Sequence, residues 1–207
     1  MRIVFEPFTR GCPTPAVLID RDGVINLRRP NDYVLNWQQF AFVPGICEAL
    51  RGISALGLPM IVISNQAAVG KGLLEPKALE EITTQLHHVL LSHGVTMAAY
   101  YYCPHRLDEG CNCRKPKPGL LFQAATDLDI DLSRSVFIGD SQTDIQAAQA
   151  AHCRPLLFAS GLRSDLGLPD WANGVCIARS ASELLAQVSL CLGGAQGVSK
   201  GSEAVYS

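Results

Sequence analysis

Residues 16 to 26 of this chain read AVLIDRDGVIN. The apolar run that ends at Ile19 has the length and β-branched content of a buried parallel strand. Asp20 and Asp22 follow directly and are two residues apart, so extended backbone places both carboxylates on one side of the sheet, and Gly23 then permits a sharp turn. Because ligands bind at the carboxyl ends of parallel strands, this stretch predicts a ligand site.

The acidic pair is a candidate magnesium site. Like charges at this separation repel each other unless a cation lies between them. A hard divalent cation such as Mg²⁺ takes carboxylate and backbone oxygens as ligands, and Asp20 and Asp22 can supply both. A polar turn after a strand is the competing interpretation, and the tetrapeptide alone does not decide between the two.

Three later stretches favour the functional interpretation. Residues 61 to 65, IVISN, form a second apolar run that ends on polar side chains. Residues 114 to 116, Arg-Lys-Pro, precede a helical pattern, and residues 136 to 144, VFIGDSQTD, form a third apolar run that ends on carboxylates. Together with the first stretch they resemble, in order, the four motifs of the haloacid dehalogenase (HAD) superfamily of phosphohydrolases. The resemblance covers residues 16 to 159.

The pattern of predicted elements agrees with the fold that this resemblance implies. Apolar runs of strand length alternate with helical patterns, which favours an α/β fold with a parallel sheet and right-handed crossovers. The resemblance implies a Rossmann-like, HAD-like three-layer sandwich with a central parallel sheet and no large cap domain. We expect residues 1–15 to be an N-terminal extension, residues 16–192 the phosphatase domain and residues 193–207 a disordered, Gly/Ser-rich tail.

Composition excludes several classes of protein. With 17 Lys and Arg against 19 Asp and Glu, the net charge of −2 argues against nucleic acid as a partner. No apolar stretch approaches the roughly 18 residues of a membrane span. The first residues include Glu6 and early prolines in place of a secretory signal. We therefore expect a cytoplasmic monomer that binds no membrane, and in that compartment cysteines are thiols or metal ligands more often than disulfides.

A second strong pattern is the set Cys103, His105, Cys111 and Cys113, with the spacing Cys-x-His-x₅-Cys-x-Cys. Three thiols and one imidazole match the ligand set of a tetrahedral structural zinc site. A chance cluster is the alternative in a chain with eight cysteines. With four protein ligands no position remains for water, so we expect this Zn²⁺ to hold a loop in place and not to activate a nucleophile.

The zinc-binding loop and the Arg-Lys-Pro that follows it resemble one branch of the superfamily. This branch contains the D-glycero-D-manno-heptose 1,7-bisphosphate phosphatases and the related histidinol-phosphate phosphatases, which have no large cap. The residues that follow Asn65, with Lys71 ahead of a glycine, look more like the heptose enzymes. Two positions differ from the heptose pattern, because Ser141 stands where Lys is usual and Arg28-Arg29 follows the first motif.

The residue types predict a two-step hydrolysis of a phosphate monoester of a small sugar, most simply the 7-phosphate of that heptose bisphosphate. Asp20 is the expected nucleophile and forms an aspartyl-phosphate. Asp22 is expected to protonate the leaving sugar oxygen and then to activate water. We expect Mg²⁺ on Asp20, the backbone carbonyl of Asp22 and Asp140, with Asp144 as a further candidate that acts through water.

Basic and polar side chains are expected to hold the phosphate groups. Lys115 is the predicted point charge that stabilises the transition state. Arg114, with its forked donors, suits a second phosphate or a hydroxyl, and a solvated flank of the zinc-binding loop is the competing interpretation. Ser64 is expected to bind a phosphoryl oxygen. Further candidates for substrate binding are Arg28, Asn65, Gln66 and Lys71.

Other functions share part of this pattern. A histidinol-phosphate phosphatase or another polyol phosphatase, a phosphotransferase and a phosphonate hydrolase would use the same nucleophile. An inactive phosphate-binding module would lack one of the catalytic side chains, and all of them are present. The helical histidines His87, His88 and His93 are interpreted as surface or packing residues.

Overall fold

The computed structural model describes residues 1–5, 12–29, 32–160 and 169–193. Within these residues seven strands form one sheet, and six α-helices accompany it. The strands are β1 (Arg2–Val4), β2 (Val17–Ile19), β3 (Met60–Asn65), β4 (Ala99–Cys103), β5 (Val136–Gly139), β6 (Arg154–Phe158) and β7 (Cys176–Ala178). The helices are α1 (Ile46–Ser54), α2 (Ala67–Gly70), α3 (Pro76–Ser92), α4 (Gly119–Leu128), α5 (Gln142–Ala150) and α6 (Ala181–Gly193).

The strand order is β1-β4-β3-β2-β5-β6-β7, and every neighbouring pair except β1 with β4 is parallel. Strand β2 is therefore central, with Val17 opposite Met60 of β3 on one side and Val136 of β5 on the other. The strand order reverses at β2, which is the position where open α/β sheets bind ligands. The prediction of a central parallel sheet is confirmed.

The apolar residues of the strands divide between the two faces of the sheet. Val17 and Ile19 belong to one core cluster, which also contains the apolar faces of α1, α3 and α6. Leu18 belongs to a second cluster with residues of α4 and α5. Alternate residues of a strand point to opposite faces, so β2 is buried on both sides. This arrangement is the predicted three-layer sandwich.

Part of the predicted N-terminal extension, residues 1–15, belongs to the sheet. Arg2–Val4 adds antiparallel to the edge of β4. The Arg2 Nη1 atom lies 2.6 Å from Asp127 Oδ2, and the amino group of Met1 donates to the carbonyl of Tyr102 at 3.0 Å. Three residues are too few for hydrophobic periodicity to predict a strand. The strand is stabilised by backbone pairing with the edge of β4, which would otherwise be unpaired.

Two segments that connect the larger elements contain short helices. Residues 37–39 form a 3₁₀ helix, where Trp37 packs on Phe40 with ring centroids 5.0 Å apart. The glycine-bearing loop after β3 contains α2, because Ala67 and Ala68 are buried against the core. Gly193, the first residue of the predicted tail, is the last residue of α6, and residues 194–207 lie outside the described residues. No helix in the described ranges combines the length and apolar character needed to cross a membrane.

Candidate active site

The residues after β2 form a tight turn at the carboxyl end of the central strand. The Asp20 amide donates to the carbonyl of Ile138 in β5 at 2.8 Å, so the start of the turn continues the sheet. Gly23 has a φ of +97°, and a Cβ atom at this position would collide with the carboxylate of Asp140. The turn therefore requires glycine, and it brings carboxylates from β2 and β5 together.

Three carboxylates form an acidic cluster, and one lysine contacts two of them. The side chains of Asp20, Asp140 and Asp144 offer ligand oxygens that all lie within 4.8 Å of one another. Lys115 Nζ lies 2.9 Å from Asp20 Oδ1 and 2.6 Å from Asp144 Oδ1. Burial raises the pKa of Asp20 to about 7, although the Lys115 charge opposes this rise. Burial also raises the pKa of Asp140.

Lys115 is held in the site by contacts to both its ammonium group and its backbone. Its side chain is 2% exposed, and Nζ donates to the carbonyl of Ile63 at 2.9 Å. Burial disfavours the charge, but the Asp144 and Asp20 carboxylates outweigh it and raise the pKa of Lys115. Asn65 Nδ2 donates to the Lys115 carbonyl and Asn65 Oδ1 accepts from the Lys115 amide, both at 3.1 Å. Both polar atoms of the Asn65 side chain thus bind the Lys115 backbone, whereas the sequence analysis predicted that Asn65 binds substrate.

Asp22 accepts hydrogen bonds from three side chains. Arg21, whose side chain is 1% exposed, donates from Nη2 to both carboxylate oxygens at 2.9 and 3.0 Å. Asn26 Nδ2 donates to Oδ1 at 2.9 Å, and Gln66 Nε2 donates to Oδ2 at 2.7 Å. Burial opposes ionisation, but Arg21 and these amides hold the pKa of Asp22 below its ordinary value. Gln66 also donates to Ser64 Oγ at 3.1 Å.

Asp144 lies at the start of α5 and connects that helix to Lys115. Its Oδ2 atom accepts from the Ser141 amide at 3.1 Å and from Ser141 Oγ at 2.5 Å, which caps the helix. A Cβ atom on Gly139 would collide with the Asp144 side chain, so this glycine allows the close approach. Helix α5 begins at Gln142, directly after this cap.

Arg28 brings a cation to the acidic cluster. Its Nη2 atom lies 2.6 Å from Asp140 Oδ1 and 3.5 Å from the backbone carbonyl of Asp22. These oxygens, with the Asp20 carboxylate, are the predicted magnesium ligands. Because the arrangement of hard oxygens already attracts a guanidinium, the residues present fit a divalent cation such as Mg²⁺.

A pocket of about 480 Å³ opens above the cluster. Its lining includes most of the predicted site residues: Asp20, Asp22, Arg28, Ser64, Asn65, Gln66, Arg114, Lys115 and Asp144. Ser141, at the position where the heptose enzymes usually carry Lys, also lines it. Lys71 does not line the pocket, but Tyr33 does. The Lys71 Nζ atom donates to the Tyr33 hydroxyl at 2.8 Å.

The predicted zinc ligands converge at the carboxyl end of β4. The three sulfur–sulfur distances among Cys103, Cys111 and Cys113 are 3.3 to 3.6 Å. His105 Nδ1 lies 3.6 Å from the Cys103 sulfur and 3.2 Å from the Cys113 sulfur. The edges of a zinc tetrahedron with these ligand types measure about 3.5 to 3.8 Å, given the usual zinc–ligand bond lengths. The donor set and its spacing therefore fit Zn²⁺.

The zinc-binding loop, residues 103–113, contacts the active-site elements on two sides. Arg114 Nη1 donates to the carbonyl of His105 at 3.3 Å, which ties this arginine to the loop. The Gly70 amide at the end of α2 donates to the carbonyl of Pro104 at 2.8 Å. At the start of α4, a Cβ atom on Gly119 would collide with the backbone of Asn112. The loop is thus packed between α2 and α4.

Sequence reasoning missed Arg21, Asn26 and Tyr33 as parts of the site. The alternation of an extended strand directs residue 21 away from the acidic pair, yet the long side chain of Arg21 bends back to Asp22. A charged residue in an otherwise apolar stretch was the available signal, because a buried arginine requires a partner. Asn26 and Tyr33 carried no comparable signal.

Comparisons with known proteins identify relatives of this chain. Residues 112–183 match the family model of HAD-hydrolase-like proteins. The chain is 37% identical over 145 residues to the D-glycero-β-D-manno-heptose-1,7-bisphosphate 7-phosphatase of Pseudomonas aeruginosa, a match that covers 70% of this chain and 81% of the relative. The enzyme of the same name from Helicobacter pylori is 40% identical over 133 residues, which cover 64% of this chain and 75% of that one.

The fold is similar to a solved phosphatase as well. The crystal structure of D,D-heptose 1,7-bisphosphate phosphatase from B. bronchiseptica, complexed with magnesium and phosphate, superposes with a TM-score of 0.76 and 29% identity. The superposition covers 86% of this chain and 99% of that chain. Because both the sequence and the fold match over most of these relatives, the chain belongs to the D-glycero-β-D-manno-heptose-1,7-bisphosphate 7-phosphatase family of HAD-like phosphatases.

Proposed function

We propose that this protein hydrolyses the 7-phosphate of D-glycero-β-D-manno-heptose 1,7-bisphosphate through an aspartyl-phosphate on Asp20. The observation that carries the proposal is the Asp20 carboxylate at the tip of the central strand, 2.9 Å from the Lys115 ammonium and lining the same pocket as Asp22. The proposed substrate is the one named for the relatives of this chain. The B. bronchiseptica enzyme was crystallised with magnesium and phosphate, which supports magnesium and phosphate as ligands of the site described here.

In the first step an oxygen of Asp20 attacks the phosphorus, and the bond from phosphorus to the sugar oxygen breaks. The Arg21 amide, 2.7 Å from Asp20 Oδ1, and Lys115 hold the orientation of this carboxylate. Lys115 offsets the negative charge that develops on the phosphoryl oxygens. The Ser64 hydroxyl accepts from Gln66 and retains its own hydrogen for a phosphoryl oxygen.

Asp22 donates a proton in the first step and accepts one in the second. In the free enzyme its pKa is low, so it is a carboxylate at neutral pH. A phosphate dianion in the pocket raises that pKa by charge repulsion, and the protonated Asp22 then gives its proton to the leaving sugar oxygen. In the second step Asp22 takes a proton from water, the hydroxide attacks phosphorus, and the bond to Asp20 breaks.

The proposed magnesium ligands are the Asp20 carboxylate, the Asp22 carbonyl and Asp140. When bound there, Mg²⁺ would neutralise charge on the nucleophile and the phosphoryl group together. The Asp144 carboxylate pairs with Lys115 and accepts a hydrogen bond from the Ser141 amide. We therefore propose that Asp144 positions Lys115 and does not bind the metal directly. Asn65 has a similar positioning role through the Lys115 backbone.

The proposed Zn²⁺ is structural. Cys103, His105, Cys111 and Cys113 would hold it, and their loop leads directly into Arg114 and Lys115. Arg114, which lines the pocket and donates to the His105 carbonyl, is the proposed partner of the second phosphate or a sugar hydroxyl.

We also propose that the enzyme is a cytoplasmic monomer. Light scattering tests the oligomeric state, and cell fractionation tests the localisation.

A substrate panel tests the proposed activity. We expect kcat/KM for the heptose 1,7-bisphosphate to exceed that for histidinol phosphate and fructose 1,6-bisphosphate, with release of the 7-phosphate seen by ³¹P spectroscopy. Preference for histidinol phosphate would overturn the substrate assignment and leave the phosphatase mechanism standing. Faster turnover of a phosphonate, or phosphate transfer to added alcohol in place of water, would overturn hydrolysis of a monoester.

Asp20→Asn tests the nucleophile in the same assay. The amide keeps the shape of the carboxylate but is a poor nucleophile, so we expect turnover to fall by at least about 10³-fold, a loss typical for removal of a covalent catalyst. Activity within tenfold of the wild type would contradict the assignment. Omission of Mg²⁺ should stop turnover reversibly.

A further inference from the structure

The contact between Arg28 and Asp140 joins an exposed cation to a largely buried anion. The Arg28 side chain is 52% exposed, whereas that of Asp140 is 15% exposed. The guanidinium reaches across from the loop after β2 and donates to Asp140 Oδ1 at 2.6 Å. The same Nη2 atom is 3.5 Å from the Asp22 carbonyl.

These two oxygens are also two of the three proposed magnesium ligands. Magnesium binds oxygen at about 2.0 to 2.1 Å. The Arg28 Nη2 atom lies 2.6 Å from one of these oxygens and 3.5 Å from the other, so it occupies the space that an ion bound to both would need. Charge repulsion between two adjacent cations acts in the same direction. The contacts of Arg28 and the binding of Mg²⁺ are therefore mutually exclusive.

The other side of Asp140 offers no alternative position for a counter-cation. A Cβ atom on Gly23 would collide with Asp140 Oδ2, so the backbone of the turn covers this oxygen. Lys115 is committed to Asp20 and Asp144 by contacts of 2.9 and 2.6 Å. Among the described residues, Arg28 is thus the cation within ion-pair distance of Asp140.

We propose that Arg28 is the resident counter-cation of the metal site, which competes with Mg²⁺ and leaves Asp140 when the ion binds. This inference rests on the magnesium site of the proposed function. The half-exposed side chain can turn into the pocket or into solvent, so its departure disturbs no core packing. A released guanidinium adds positive charge to a pocket that receives a phosphorylated substrate. Arg28 accordingly lowers the affinity of the site for Mg²⁺ and keeps Asp140 paired when the ion is absent.

Magnesium affinity tests the competition directly. Isothermal titration of the full-length, zinc-containing protein with Mg²⁺ alone, at pH 7.5, gives Kd for the wild type, Arg28→Gln and Arg29→Gln. Arg29 is the matched control, because it is the adjacent residue, lines the same pocket and pairs with Asp32 at 2.6 Å, not with Asp140. Both changes remove one positive charge and keep a long polar side chain.

We expect Arg28→Gln to bind Mg²⁺ about fivefold more tightly than the wild type, the scale of one partly exposed ion pair, and Arg29→Gln to differ by less than twofold. An equal gain in both variants would show a general charge effect and overturn the proposal. Unchanged or weaker binding in Arg28→Gln would also overturn it.

The same titration separates this inference from the proposed function. If the wild type binds Mg²⁺ and hydrolyses the substrate but Arg28→Gln shows no tighter binding, only the competition is wrong. If neither protein binds Mg²⁺, the proposed metal site is wrong, and the competition with it. Thermal melts in metal-free buffer confirm that folding is intact: Arg28→Gln should melt no more than about 4 °C below the wild type, as expected for the loss of one such ion pair, and Arg29→Gln within about 2 °C of it.

Discussion

At the scale of single residues, the site holds two neighbouring carboxylates in opposite electrostatic states. Burial raises the pKa of Asp20 to about 7, and the Arg21 guanidinium, against the effect of burial, holds the pKa of Asp22 below its ordinary value. The protein thus holds the proposed nucleophile, Asp20, with a raised pKa and the proposed proton carrier, Asp22, with a lowered one. Such separation of pKa values is typical of catalytic carboxylate pairs.

The two carboxylates should therefore affect stability in opposite directions. The folded pKa of Asp20 lies above its unfolded value near 3.8, so folding binds a proton and stability falls as pH rises from about 4 to 7. Because asparagine does not ionise, Asp20→Asn abolishes this fall in stability with rising pH. In magnesium-free buffer at pH 8 we expect the variant to melt about 2 to 8 °C above the wild type, which corresponds to about 1 to 3 kcal/mol.

Asp22→Asn is the matched control for this prediction. Its low folded pKa contributes stability that is present above pH 4 and is lost as pH falls, so this variant should melt below the wild type at pH 8. Scanning calorimetry at pH 5 and pH 8 measures both changes. A gain for Asp20→Asn that is the same at both pH values would contradict the raised pKa.

At the scale of structural elements, the proposed zinc-binding loop leads directly into Lys115, the proposed transition-state charge. The loop begins on the last residue of β4, Cys103, and Cys113 is followed by Arg114 and Lys115. Since the binding free energy of a structural zinc appears as ordering of its ligands, the metal should determine where Lys115 lies. Asn65 at the end of β3 provides a second, independent restraint on Lys115.

Cys111→Ser should lower both zinc content and activity. We expect about one zinc per wild-type chain by elemental analysis, a lower content in the variant, and a fall in kcat of about tenfold or more, as found when metal-site partners are lost. Added Mg²⁺ should not restore activity. Cys47→Ser changes a cysteine outside the cluster and should retain zinc and turnover. A fully active preparation without zinc would contradict this role.

The packing of α4 against the zinc-binding loop predicts an effect for a single methyl group. Gly119→Ala improves helix propensity but places its Cβ against the rigid backbone carbonyl of Asn112, so we expect weaker zinc retention and a lower melting temperature. Gly52→Ala is the control, because its Cβ would meet the flexible Leu185 side chain at 2.9 Å. Zinc release to a chromogenic chelator measures the difference. Equal release from both variants would contradict it.

At the scale of the whole molecule, β1 covers an edge of the sheet far from the turn that carries Asp20 and Asp22. The order β1-β4-β3-β2 places two strands between β1 and the acidic pair. Next to this strand, the ring of Phe5 stacks on His87 of α3 at 3.7 Å between centroids, which adds an apolar contact to the backbone pairing. An uncovered β4 would present free backbone groups to other chains.

Deletion of residues 1–5 should therefore reduce stability without changing the chemistry. We expect a loss of about 2 to 3 kcal/mol, a melting temperature lower by about 4 to 10 °C, and faster aggregation. The kcat at 20 °C should stay within twofold. Arg2→Ala, which removes only a half-exposed ion pair with Asp127, should cost less than about 1 kcal/mol. A large fall in kcat would show that β1 also supports the site.

The sequence by itself determined the features that are local in the chain. The buried strand before Asp20, the acidic pair and the zinc-ligand spacing each lie within about a dozen residues, where periodicity and side-chain chemistry act directly. The α/β order of elements then brought the ends of β2, β3 and β5 together, since parallel strands share one carboxyl edge. This is why the acidic cluster around Asp20 could be predicted.

Only the tertiary structure decided which side chains pair across the site. Asn65 and Lys115 are 50 residues apart, and Arg28 and Asp140 are 112 apart. Their pairing depends on strand order, on the rotamer of each side chain and on the space left by Gly23, none of which periodicity encodes. The same holds for β1, whose three residues pair with a strand about a hundred positions away because that edge is open. Long-range partners are selected by packing and electrostatics, and these exist only once the chain has folded.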